Sequence, residues 1–145
     1  MRYLSIDLGD KRTGVAIGDD VTGIASPHEV VRTGGEEDRL RQLLKLIDDE
    51  GPDAVVVGLP LNMDGSLGSA ALKAVAVGRQ IAEASGVAVH FADERQTSQI
   101  ADERMAQTGL THKQKKARRD ALAAAAILQV FFERGACEVP GDPAP

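Results

Sequence analysis

The chain has 145 residues, 43% hydrophobic and 27% charged, a balance that specifies one globular unit able to bury a core without disulfide or metal staples. A formal net charge of −5 excludes a basic, sequence-blind nucleic-acid coat, and the lone Cys137 excludes an internal disulfide. No apolar run reaches the length of a membrane span and the N-terminus enters a strand without a signal peptide, so a cytoplasmic location is the expectation.

Aromatics are only 3% with no Trp, so the core must be built from Ala, Val, Leu and Ile. Tyr3 to Asp7 alternates in the period-two manner of a strand, Gly9 to Arg12 is a turn, and Val15 and Ile17 alternate on the return strand. Asp7 falls at the end of the first strand, where α/β sheets collect ligands, and Gly9 and Gly14 leave room for a phosphate or metal ion near the backbone. Gly23 to Pro27 reads as a turn and His28 to Arg32 as a short third strand. Glu36 to Glu50 is a helix, with Leu40, Leu43, Leu44 and Ile47 at helical spacing, acids in its first turn and Gly51-Pro52 as the stop.

Ala54 to Val57 is a continuous apolar run, the pattern of a central strand buried on both faces. A Gly-, Pro- and Asn-rich loop from Gly58 to Gly68 leads into a helix over Ser69 to Ser85 with Ala74, Val77, Ile81 and Ala84 on one face. Val87 to Ala92 is another strand and runs into Asp93-Glu-Arg95. Thr97 or Ser98 caps a helix through Gln107, Gly109 to Lys113 is a loop, and a last helix runs from Gln114 or Lys115 to Glu133. From Gly135 the composition is that of a disordered tail. A meander followed by alternating units predicts an α/β fold: a central mixed five-stranded sheet, antiparallel then parallel, with helices on both faces.

Three carboxylates recur at the ends of buried elements: Asp7 closes the first strand, Glu94 follows the last, and Asp120 shares a helical stripe with Ala124, Ile127 and Phe131. A charge on the sheet-facing side needs a cation, a donor network or a metal ion, and acids gathered together are relieved by a hard divalent cation such as Mg²⁺ or Mn²⁺. Two such ions, about 4 Å apart, position an attacking water and stabilise the leaving oxygen of a phosphodiester. The structural alternatives are that Asp7 bonds only its turn, Glu94 pairs with Arg95 or Arg12, and Asp120 pairs with Lys116.

Asp7-Leu-Gly-Asp-Lys-Arg-Thr-Gly14, Gly58-Leu-Pro-Leu-Asn-Met-Asp-Gly-Ser66, Asp93-Glu-Arg-Gln-Thr-Ser98 and Asp120-Ala-Leu-Ala-Ala-Ala-Ala-Ile-Leu128 occur in this order. Together they resemble the YqgF family, whose fold is ribonuclease H-like, related to Holliday junction resolvases, and whose assigned activity is nucleolytic processing of pre-16S rRNA. The resemblance implies a nuclease domain over 1–134 with a flexible tail over 135–145. It implies Asp7, Glu94 and Asp120 as catalytic, metal-binding acids, and the loop carrying Asn62, Asp64, Gly65 and Ser66 as a surface near the same cleft. A tight turn and helix cap explains that loop equally well. The junction resolvases carry two acids one turn apart on the last helix; here the earlier position is Ala117, which removes one ligand and weakens junction cleavage.

Lys113, Lys115, Lys116, Arg118 and Arg119 form the one dense basic cluster, suited to a phosphate backbone, and Lys11, Arg12 and Arg95 stand where they can reach the same strand. A solvated helix start is the plainer reading of the cluster. His112 is a candidate proton shuttle, while His28 and His90 read as structural. The expected partner is structured RNA, pre-16S rRNA foremost, with branched DNA as the rival and no membrane; the expected state is a monomer or weak homodimer. A non-catalytic ribosome-assembly factor on the same fold stays open. An actin-like ATPase or sugar kinase, which the hairpin also resembles, needs two such domains, and the length of this chain supplies one.

Overall fold

The computed structural model describes residues 1–32, 34–95 and 112–140, and the side chains of all of these except 112–118. Strands β1 (Arg2–Leu8), β2 (Arg12–Asp19) and β3 (Ile24–Arg32) form the antiparallel meander. Helix α1 (Glu36–Glu50), β4 (Ala54–Leu59), α2 (Ser69–Ser85), β5 (Ala88–Asp93) and α3 (His112–Arg134) follow. The sheet order is β3-β2-β1-β4-β5, with β1, β4 and β5 mutually parallel. This is the expected mixed five-stranded sheet with helices on both faces.

Strand alternation sorts the core into two layers. Leu4, Ile6, Val15, Val55, Val57 and Leu59 point toward α1 and α2, where they meet Leu43, Ile47, Ala74 and Ile81. Tyr3, Ala16, Ala54, Val56 and Ala92 point the other way, onto Ala124, Ala125, Ile127 and Leu128 of α3. Every residue of β4 is buried, as the unbroken apolar run requires. On the α3 side the Ser5 hydroxyl donates to the Ala124 carbonyl at 2.7 Å, which satisfies a fully buried polar group.

Small residues on both partners let α3 lie very close to the sheet. A Cβ placed on Gly14 would stand 1.8 Å from the Asp120 carbonyl oxygen, and one on Gly58 would stand 2.5 Å from the Ile127 methyl. The run Ala124-Ala-Ala126, all of it buried, keeps the opposing surface equally shallow.

Several boundaries differ from expectation. β3 starts at Ile24 rather than His28, because a register shift between Val15 and Ala16 lets Pro27 sit opposite Ala16. α3 starts at His112, so His112 and Lys113 are helical rather than in a loop. Ala84 is exposed, and the buried face of α2 runs through Val75 and Gly78 instead; Gly78 makes room for the ring of Phe91. The supposed flexible tail is packed as far as Val139: Gly135 closes α3, the Cys137 amide donates to the Phe91 carbonyl, and Cys137 and Val139 rest on the core. This segment covers the edge strand β5, which would otherwise present unpaired backbone groups. The helix expected up to Gln107 and the last residues of the tail lie outside the described residues.

The close approach of α3 at Gly14 sets a stability test. Gly14→Ala is expected to lower stability by about 2–3 kcal/mol, because the obstructing atoms are backbone and cannot swing aside. Gly34→Ala, with open space around it, is expected to change stability by less than about 0.5 kcal/mol. Urea midpoints of the two variants check this.

Candidate active site

Asp7, Gly14, Gly58 and Glu94 all lie on the α3 side of the sheet, at the end where β1, β4 and β5 finish. Parity places them there. Asp7 shares a face with Tyr3 and Ser5, Gly14 pairs with Asp7 across the hairpin, and Glu94 follows β5 two residues after Ala92. The Glu94 amide donates to the Leu59 carbonyl at 3.1 Å, which fixes where its side chain leaves the sheet. That carboxyl folds back over Gly58, where an added Cβ would come within 2.4 Å of Oε1. Asp120 arrives from α3 directly above Gly14.

The three acids interact. Asp7 and Glu94 are hydrogen-bonded through their side chains, and Asp7 also feels the charge of Asp120. Burial, then the hydrogen bond to Asp7 and the negative charges of Asp7 and Asp93, push the Glu94 carboxyl up to about 9. Burial also raises Asp7 and Asp120 adds to that, while the hydrogen bond from Glu94 opposes it. Physically, the pair holds one proton, carried by Glu94 and donated to an ionised Asp7. The third acid is neutralised differently: Arg12 Nε lies 3.2 Å from Asp120 Oδ2.

Among the described residues no three His, Cys, Asp or Glu side chains converge as they stand tightly enough to hold a metal ion. The donor set nevertheless suits a hard divalent cation, since all three groups supply carboxylate oxygens and two of them already touch. The third, Asp120, is engaged by Arg12.

Beside Asp120 opens a cleft of about 630 Å³, lined by Gly9, Asp10, Lys11, Arg12, Arg32 and Asp120. Lys11 and Arg12 thus line the same cleft as Asp120. Arg95 does not: its guanidinium is bound to Asp93 at 2.6 Å and to the Met63 carbonyl at 3.3 Å. Neither alternative for Glu94 holds, because Arg95 takes Asp93 and Arg12 takes Asp120. The loop with Asn62 and Ser66 closes on itself. Asp64 accepts from the Ser66 hydroxyl at 2.6 Å, Asn62 donates to the same hydroxyl at 3.0 Å, and Gly65 takes a positive φ of 86°. Arg119 is exposed, whereas the side chains of His112, Lys113, Lys115, Lys116 and Arg118 lie outside the described residues. His28 pairs with Glu50 and His90 stacks on Phe131, both structural uses.

Two arginines escape sequence reasoning. Arg32 lines the cleft directly opposite Arg12 in the β2–β3 register. Arg39 is only 3% exposed and donates to the Gly9 carbonyl at 2.8 Å, so α1 grips the turn that follows Asp7. Lys73 of α2 reinforces it, bridging Asp10 and Glu36 at 3.6 and 3.4 Å. The signal for Arg39 was available: it starts the buried stripe Arg39, Leu43, Ile47 at i, i+4, i+8, a charge on an apolar face as at Asp120.

Comparison with known proteins follows the same lines. The sequence model of the RuvX family, described as Holliday junction resolvase, matches residues 1–134. A protein of Anaeromyxobacter named "Putative pre-16S rRNA nuclease" is 43% identical over 133 residues, covering 92% of this chain and 97% of its own. RuvC of T. thermophilus, solved in complex with a Holliday junction substrate, superposes with a TM-score of 0.61 at 21% identity, covering 94% of this chain and 98% of its own. The Fowlpox virus resolvase, solved with Holliday junction DNA, gives 0.59 at 13% identity, with 92% and 97% covered. The fold is thus that of the resolvases, ribonuclease H-like.

The shared proton predicts a pH dependence in metal-free buffer. A carboxyl raised to about 9 on folding stabilises the folded state fully below its unfolded value near 4.5 and loses that contribution as pH rises toward 9. Glu94→Gln keeps a hydrogen-bond donor to Asp7 and removes the ionisation. With EDTA at pH 8 the variant is therefore expected to melt about 4 °C or more above wild type, and the difference should vanish near pH 4. Thermal denaturation across that pH range checks it.

Proposed function

The chain belongs to the RuvX family, and from that membership we propose that it is a metal-dependent nuclease that hydrolyses phosphodiester bonds in precursor 16S rRNA, at the 5′ end. The observation that carries the reading is the convergence of Asp7 and Glu94, sharing a proton at the end of the parallel strands, with Asp120 held above Gly14. Carboxyls placed in this way cost stability unless a cation offsets them, which favours a functional origin for the cluster.

In this reading Asp7, Glu94 and Asp120 hold Mg²⁺ or Mn²⁺. A divalent ion held there would supply Lewis-acid polarisation of the phosphodiester and a lowered pKa for an attacking water. The residues of the chain do the remaining work. Asp7 is positioned by β1 and by the Arg39 grip on the following turn. Glu94 must give up its proton to serve as a ligand, which makes metal uptake favoured by rising pH. Lys11 and Arg12 at the cleft, with Arg119 and the basic cluster on α3, engage the phosphate backbone.

Cleavage of a four-way DNA junction is the second reading, supported by the family description and by the junction-bound relatives. Ala117 counts against it, since it leaves Asp120 without the second acid one turn earlier that the junction resolvases carry.

Purified protein incubated with labelled precursor rRNA or a labelled four-way junction, in Mn²⁺, Mg²⁺ or EDTA, separates these readings. We expect metal-dependent cutting of the RNA, reduced at least about a hundredfold in Asp7→Asn with RNA binding retained. Cutting of the junction alone would make the protein a resolvase despite Ala117. Binding of RNA without any cutting would make it a non-catalytic assembly factor.

A further inference from the structure

Arg12 and Arg32 stand directly opposite one another on adjacent antiparallel strands. Like charges at such a cross-strand pair are destabilising unless an anion lies between or beside them. Arg12 is accounted for by Asp120 at 3.2 Å, through a contact in which Arg12 remains half exposed. Arg32 forms no ion pair among the described residues, and it lines the same cleft as Lys11 and Arg12. Three cations thus border a cleft whose only carboxylates among the described residues are Asp10, at the exposed tip of the turn, and Asp120. A partly exposed ion pair such as Arg12–Asp120 is weak, and a phosphodiester competes well for a guanidinium.

We propose that Arg12 and Arg32 form a two-arginine site for a nucleic-acid phosphate, and that its occupation draws Arg12 off Asp120 and frees that carboxylate to join Asp7 and Glu94. This rests on the nuclease reading and deepens it: backbone binding and completion of the acid site become coupled. In the arrangement observed, Arg12 engages Asp120, and no three such side chains among the described residues form a ligand set. With a phosphate in the cleft, the competition for Arg12 shifts and Asp120 is released. Because coupling between two ligands is reciprocal, a divalent ion must tighten oligonucleotide binding by the factor by which the oligonucleotide tightens ion binding.

The test uses the full chain and two binding measurements. Calorimetry gives the Mn²⁺ affinity of the free protein, and fluorescence anisotropy gives the affinity for a phosphorothioate single strand with and without Mn²⁺. The uncharged methylphosphonate strand serves as the control for phosphate charge. Arg12→Gln is expected to tighten Mn²⁺ binding to the free protein about fivefold or more and to reduce the coupling factor correspondingly. Arg32→Gln is expected to leave free-protein Mn²⁺ affinity within about twofold, to weaken the charged strand and to reduce coupling. Simple removal of a nearby positive charge would instead make both variants bind Mn²⁺ more tightly with coupling intact, and that result overturns the proposal.

Unchanged or weaker Mn²⁺ binding in Arg12→Gln, with wild-type binding lost in Asp7→Asn, overturns the proposal while the metal-dependent nuclease reading survives. Mn²⁺ binding that is the same in wild type and Asp7→Asn overturns both. Thermal melting of each variant confirms that the comparison is between folded proteins, as expected for substitutions at exposed or half-exposed arginines.

Discussion

The chemistry of this molecule is organised around the repulsion among carboxyl groups gathered at one end of a small sheet. Burial makes the repulsion costly, and two devices contain it: a proton held between Asp7 and Glu94, and the guanidinium of Arg12 on Asp120. Both devices are reversible. A proton can be displaced by a cation, and a half-exposed ion pair can be exchanged for a stronger one. A site neutralised by permanent means, such as fully buried arginines on each acid, would be more stable and chemically inert.

Close approach of backbone is the second condition. Asp120 can stand over the hairpin only because Gly14 has no Cβ, and Glu94 can fold inward only because Gly58 has none. The alanine run of α3 and the scarcity of aromatic residues belong to the same solution. A core of large side chains would hold the helix farther from the sheet and take Asp120 out of reach of Asp7. Three of the four aromatics cluster toward the opposite end of α3: Tyr3, Phe131 and Phe132 pack together, with Tyr3 and Phe131 5.1 Å apart and Phe131 stacked on His90.

The hairpin tip is the most exposed part of the site, and it is also the most tethered. Arg39 reaches it from α1 and Lys73 from α2, so the two helices behind the sheet stabilise the turn in front of it. One Arg39 nitrogen and the Thr13 hydroxyl are buried with no hydrogen-bond partner among the described residues.

By itself the sequence determined the elements and their faces. Period two in the hairpin, the apolar run Ala54–Val57 and the helical stripes came directly from side-chain spacing, because burial of one face is a local pattern. It also exposed Asp120 as a charge on an apolar stripe, and the same rule would have exposed Arg39. What it could not supply was opposition across space. That Arg12 meets Asp120 rather than Glu94, that Arg95 is bound by Asp93, that Arg32 faces Arg12, and that Cys137 and Val139 cover β5 depend on strand register and on how deeply α3 sits. Depth is set jointly by Gly14, Gly58 and the alanines of α3, residues far apart in the chain whose lack of side-chain bulk acts only when the tertiary fold brings them together.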